Sequence, residues 1–278
     1  MWCRSIRRLR IWPSGSVTKS PSCVSMAGAT RSRFRRAKAT LLRMSMMTSN
    51  VEATKMKVVE IFTSIDGEGK RAGLPTTFIR LHGCNLNCSF CDTRYGCEGD
   101  DYRVMSVKEI VERCDELGVK SVTLTGGEPL IHPGAKMLVE QLLELGYWVN
   151  VETNGTVDVN KFRDSLAFGR EYGLSRLFFT VDYKCPGSGM HTHMQQDMYS
   201  RLLPADVVKF VVSDRADMDF ALSVMETVQT NAEIYFSPVF GAIEPKEIVD
   251  YILEHKLYSC RVQLQLHKLI WDPNKRGV

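Results

Sequence analysis

The chain has 278 residues, 44% of them hydrophobic and 24% charged, and no apolar run near the roughly 20 residues that a membrane-spanning helix needs. Its formal charge of +4 is unevenly laid down: residues 1–56 hold twelve Lys or Arg against one acid, Glu52, which leaves twenty-four bases and thirty-one acids in residues 57–278. The patterned part is therefore acidic and gives no charge argument for nucleic acid, and nine cysteines, an odd count with no secretory signal, argue against a disulfide framework.

Residues 1–56 are Arg- and Ser-rich, nearly acid-free and without a clear apolar period, which is the composition of a disordered extension or an organellar transit peptide. Met44, Met46, Met47 and Met56 stand just ahead of the first patterned segment, so a start at a later methionine is a third reading. From Lys57 to Val278 the pattern is that of one domain. Strands are predicted over 58–63 and 76–82, and the second runs into a cysteine-rich loop. Ser106 opens a helix, its side chain suited to the free amides while Glu109 reaches back, and Gly118 closes it. A strand over 119–125, a helix over 133–145 ended by Gly146, a strand over 147–151 and a helix over 158–172 come next. Strands over 176–181, 205–212, 233–237 and 261–266 complete the run, with helices over 214–228 and 245–255 between them. Short β-branched strands separated by helices imply right-handed crossovers and a parallel sheet covered on both faces. Six such strands, counted from Thr76, make an incomplete (βα)6 barrel of the α/β class.

The polar motifs fall where those strands end. Cys84, Cys88 and Cys91 follow the strand ending at His82; Gly126, Gly127 and Glu128, with Pro129, follow the next. Glu152 and Asn154 come after the third, and Asp182 and Lys184 after the fourth. One end of the sheet therefore carries the chemistry, at the strand C-termini where barrel enzymes build their sites. Thiolates hold iron–sulfur clusters or zinc, and three of them in a C-x3-C-x2-C loop wrap one face of a cubane and leave one iron open. A zinc knuckle that recruits His82 or Cys97 is the bland alternative; Cys3, Cys23, Cys114, Cys185 and Cys260 lack ligand spacing. The Gly-Gly-Glu-Pro run also reads as a simple turn, Glu152 with Asn154 as a solvated one, and Asp182 with Lys184 as a surface ion pair.

The cysteine loop, with Phe90 just before its last cysteine, resembles the signature of the radical S-adenosylmethionine (SAM) superfamily. That resemblance implies a [4Fe–4S] cluster on Cys84, Cys88 and Cys91 and a SAM site formed by Gly126, Gly127, Glu128, Glu152, Asn154, Asp182 and Lys184. It also implies an external one-electron reductant such as flavodoxin or ferredoxin. Further runs narrow it: Glu60-Ile61-Phe62, Asp66-Gly67-Glu68-Gly69, Phe78 to Cys84, Cys91-Asp92-Thr93, Gln265 to Trp271 and Asn274 to Val278 are similar to the 7-carboxy-7-deazaguanine synthase family.

For residues 57–278 this family resemblance implies a cytoplasmic lyase, a homodimer that acts on neither nucleic acid nor membranes. Its reaction contracts 6-carboxy-5,6,7,8-tetrahydropterin to 7-carboxy-7-deazaguanine with loss of ammonia, on the route to queuosine. Arg80 would pair the pterin carboxylate, and Glu68 would accept from the 2-aminopyrimidinone edge. Asp66 stands where many relatives carry Gln, His267 would fold back over the pterin, and Thr93 would ligate Mg²⁺. A glycyl-radical-enzyme activase and a non-enzymatic zinc-binding module are the competing readings.

Overall fold

In the computed structural model, residues 52–167 and 174–278 are described. The readings of residues 1–51 as an extension and of 168–173 as helix lie outside them. A single nine-stranded sheet runs through the described part in the order β3-β1-β2-β4-β5-β6-β7-β8-β9. β1 (Lys55–Ile65) pairs antiparallel with both β2 (Pro75–Leu81) and β3 (Arg103–Ser106). From β2 onward every pairing is parallel, through β4 (Ser121–Gly126), β5 (Trp148–Thr153), β6 (Leu177–Lys184), β7 (Val207–Val212), β8 (Glu233–Pro238) and β9 (Cys260–Val262). β3 and β9 are unpaired on their outer edges, so the barrel is not closed. The six expected strands are β2 and β4 to β8, with β9 as a short seventh.

Helices α1 (Val107–Leu117), α2 (Ala135–Glu144), α3 (Val159–Ser165), α4 (Gln196–Tyr199), α5 (Arg215–Thr227) and α6 (Pro245–Glu254) lie between the strands, and α7 (Leu266–Ile270) follows β9. The local signals act as read at α1. The Ser106 hydroxyl accepts from Glu109 N, Glu109 Oε2 accepts from Ser106 N at 2.6 Å, and Gly118 ends the helix at φ 75°.

Period-two alternation along the parallel strands separates core from cavity. Val122 and Leu124, Val149 and Val151, Phe179, Val181 and Tyr183, and Val208, Phe210 and Val212 belong to the apolar core. Between them stand Thr123 and Thr125, Asn150 and Glu152, Thr180, Asp182 and Lys184, and Lys209, which face the concave side. A barrel interior lined with polar groups is costly unless those groups are partnered, so it marks where a site is built.

Three expectations are corrected. β1 begins at Lys55, two residues ahead of 57: Met56 is 2% exposed and pairs with Met105. The helix expected over 158–172 ends at Ser165, where Leu166 turns to extended backbone. The strand expected over 261–266 is paired only through Val262, because Leu266 N donates to Gly67 O and opens α7 instead. β3 carries no apolar alternation and was not legible as a strand.

Candidate active site

The loop after β2 is shaped by glycine and anchored by backbone. Gly83 has φ 100°, a left-handed conformation that frees the chain to turn back over the strand ends. Ser89 then ties the loop to the turn after β6, its N–H donating to Ser188 O at 3.1 Å and its hydroxyl to Gly187 O at 2.6 Å. Cys84, Cys88 and Cys91 are free, half-buried thiols that line one cavity of about 760 Å³. The Cys97 thiol donates to Thr93 O at 3.7 Å, and its place beside Cys84 and Cys91 holds the pKa of each down to about 6, while burial pushes Cys88 up. Leu86 N and Asn154 Nδ2 also donate to Cys84 Sγ, each at 3.5 Å. Donors aimed at sulfur favour the thiolate, the form in which cysteine binds a metal. Among the described residues no three His, Cys, Asp or Glu side chains converge on a single-ion site.

The glycine pair is packed against this loop. A Cβ on Gly127 would lie 2.1 Å from Gly83 O and 2.9 Å from Cys84 Cβ, and one on Gly126 would lie 2.1 Å from Leu81 O. Only glycine lets the two backbones approach so closely. Glu128, expected to meet the SAM ammonium, has no exposed surface and is the one predicted residue that does not line the cavity. Its Oε1 accepts from Leu130 N at 2.9 Å and Thr153 Oγ1 at 2.8 Å, and its Oε2 from Asn154 N at 2.7 Å. The acid clamps the β4 turn to the β5 turn, and burial pushes its carboxyl up to about 7. Asn154 then reaches across to the cysteine loop, donating to Asn85 Oδ1 at 2.9 Å.

The opposite wall is a chain of charges. Lys184 Nζ lies 2.6 Å from Asp182 Oδ2, Asp182 Oδ1 lies 3.2 Å from Lys209 Nζ, and Lys209 Nζ lies 2.9 Å from Glu68 Oε2. Gln265 Nε2 ends the chain on Glu68 Oε1 at 2.8 Å. The surface reading of Asp182 and Lys184 is thereby corrected: their side chains are 17% and 11% exposed. Burial pushes the neighbouring Glu152 carboxyl up, and it accepts from Thr125 Oγ1 at 3.1 Å. Asp66 is 1% exposed and burial pushes it up to about 7; Thr123 donates to Oδ2 at 3.3 Å, and Oδ1 has no partner among the described residues.

Arg80 enters from β2 with Nε on Glu60 Oε1 at 2.7 Å, where the Tyr95 hydroxyl also donates at 3.1 Å. No other hydrogen bond to Arg80 forms among the described residues, so its terminal N–H groups remain for a ligand. His267, on α7, stands over Gly67, where a Cβ would come within 2.5 Å of its Nδ1. Thr93 lines the cavity with its hydroxyl 3.8 Å from Cys91 Sγ.

Sequence reading missed Lys209, the lone charge in Val207-Val208-Lys209-Phe210-Val211-Val212, although a lysine inside an apolar strand was the available signal. It also gave no role to Tyr95 or Gln265, and named Cys97 only as a candidate zinc ligand.

The radical SAM superfamily model matches residues 78–183. A 7-carboxy-7-deazaguanine synthase of Clostridium acetobutylicum is 45% identical over 226 residues, covering 80% of this chain and 99% of that one. The enzyme of the same name from Methanospirillum hungatei is 39% identical, covering 80% and 88%. The crystal structure of QueE from Escherichia coli superposes with a TM-score of 0.61 over 79% of this chain and 97% of that one, at 20% identity, a likeness of fold.

Proposed function

The chain belongs to the 7-carboxy-7-deazaguanine synthase family, and we propose that its cavity converts 6-carboxy-5,6,7,8-tetrahydropterin to 7-carboxy-7-deazaguanine and ammonia. The observation that carries this reading is a single cavity with two chemically different halves. One half presents three thiols and a glycine pair, and the other presents Arg80, Glu68, Asp66 and His267. A cluster and SAM fit the first half, because the thiols are free, two are held toward thiolate by hydrogen bonds, and the glycine pair, packed against the cysteine loop, lines the same cavity.

When bound and reduced, that pair supplies a 5′-deoxyadenosyl radical able to abstract hydrogen from a substrate carbon. The chain's own part is to hold, orient and dry. Cys84, Cys88 and Cys91 would each hold one iron of the cluster. The Gly126-Gly127 backbone and Asn154 border SAM, while Glu128 acts one layer back by holding the turn that carries Asn154. Asp182 and Lys184 close the wall beside Cys88. Arg80 offers a fork to the pterin carboxylate, and Glu68 accepts from its amino edge. Asp66, its carboxyl raised by burial, borders the same half, and His267 covers the ring. Thr93 supplies one oxygen to Mg²⁺, a cation that takes few protein ligands.

The electron comes from a small redox protein such as flavodoxin or ferredoxin, and the working form is a cytoplasmic homodimer. In support of a water-soluble setting, no helix among the described residues is long and apolar enough to cross a membrane. A glycyl-radical activase shares the first half of the cavity but has no use for the second.

The test is equilibrium binding to the anaerobically reconstituted chain with SAM present. The carboxypterin should bind at least about 30-fold more tightly than the same pterin without its carboxylate, because a buried arginine left without its anion costs on the order of 2 kcal/mol. Equal affinity for the two would overturn the assignment of Arg80 and the substrate with it.

A further inference from the structure

Lys209 is 11% exposed in its side chain and stands on the cavity face of β7, between Val208 and Phe210, which point into the core. Its ammonium reaches a carboxylate from each side: Glu68 Oε2 at 2.9 Å, from the loop after β1, and Asp182 Oδ1 at 3.2 Å, from β6. Each of those acids has its second oxygen held by another group, Glu68 by Gln265 at 2.8 Å and Asp182 by Lys184 at 2.6 Å. A buried ion pair gains little net stability once desolvation is counted, so its main consequence is geometric. The lysine sets where two carboxylates sit, and it does so at the border between the cysteine half of the cavity and the pterin half.

We propose that Lys209 is a positioning residue for the pterin: it fixes the Glu68 side chain as an acceptor aimed at the substrate's amino edge. This rests on the reading that the cavity takes the carboxypterin. An ammonium has three donors, and Glu68 and Asp182 account for two. Without the cation, Glu68 would keep only the amide of Gln265, and one of its two oxygens would lose the partner that holds it toward the substrate edge. Asp182 would keep Lys184, so the cofactor side should barely notice.

The experiment uses the full chain, reconstituted anaerobically, with the affinities for SAM and for carboxytetrahydropterin measured separately. Lys209→Met should weaken pterin binding by about 10-fold or more, with SAM affinity within about 3-fold of the unaltered chain, and Lys209→Arg should restore most of the loss. Unchanged pterin affinity in Lys209→Met, or equal weakening of both ligands, would overturn the proposal. Should Lys209→Met fail to fold, Glu68→Gln is compared with Glu68→Gln/Lys209→Met, a double variant that leaves no charge unmatched at that contact. The double variant should bind pterin within about 3-fold of the single one, since the lysine acts through Glu68, and a further 10-fold loss would overturn it. Absence of pterin binding by the unaltered chain would overturn the substrate reading first, a failure separable from any result on the variants.

Discussion

Each of the three loop thiols holds its own place in the cavity wall, so each is expected to be indispensable. Cys84→Ala, Cys88→Ala and Cys91→Ala should each lose the visible iron–sulfur absorbance on reconstitution, whereas Cys114→Ala and Cys260→Ala should keep it, because neither lines the cavity. A full-strength cluster in any of the first three would refute the ligand assignment. Asp66 gives a prediction of a different kind. Its carboxyl is raised from 3.8 to about 7 by burial, so between those values the folded chain holds a proton that the unfolded chain has released. Stability from this group is fully present below about pH 4 and is lost as pH rises through 7, by an amount on the order of 4 kcal/mol at most. Asp66→Asn removes the titration. Urea unfolding at several pH values between 4.5 and 7 should show the wild type losing ground to the variant as pH rises, and parallel curves would show that Asp66 is ionised in the fold. The types of residue at this scale were legible in the sequence, but their roles were less so. The acid after the glycine pair was visible, but that Glu128 faces inward depends on Thr153 and Asn154, one strand away. Lys209 was passed over because its partner Glu68 lies 141 residues earlier, and no local pattern records that pairing.

Elements whose signals are local were read with their boundaries nearly intact. The capping box at Ser106 is one. Replacing it with Ala should cost about 1 kcal/mol, seen as a lowered unfolding midpoint with ligand affinities unchanged, and a loss of affinity would mean that α1 is coupled to the cavity after all. Elements made by tertiary contact were misread. Among the described residues β3 pairs only with β1, and its Arg103-Val104-Met105-Ser106 shows no pattern of its own. α7 replaces an expected strand because Gly67 and Glu68 capture the backbone of Leu266 and the side chain of Gln265. The same contacts bring His267 over the cavity, so the element hardest to read is also one that completes the site.

At the scale of the whole molecule the sheet begins at Lys55, with Met56 buried against β3 and beside Gly134. A chain begun at Thr48 should therefore keep its unfolding midpoint and its ligand affinities, while one begun at Lys57 should be measurably less stable, having lost two pairs of the β1–β3 ladder. Equal stability of the two would place the boundary at 57, where composition alone had put it. The class of the fold was legible because the strand and helix alternation is repeated six times. The polar concave face was legible only as separate motifs, since it takes the register of β4 to β7 to set Thr125, Glu152, Asp182 and Lys209 around one space.

The central claim is that this space holds both a radical source and a carboxypterin. Its most direct test is anaerobic turnover: the reconstituted chain with SAM, dithionite, Mg²⁺ and 6-carboxy-5,6,7,8-tetrahydropterin, followed by mass spectrometry. The expected products are 7-carboxy-7-deazaguanine and ammonia in equal amounts, with none formed when the pterin is replaced by one lacking the carboxylate. SAM cleavage that proceeds at full rate while the carboxypterin is recovered unchanged would contradict it.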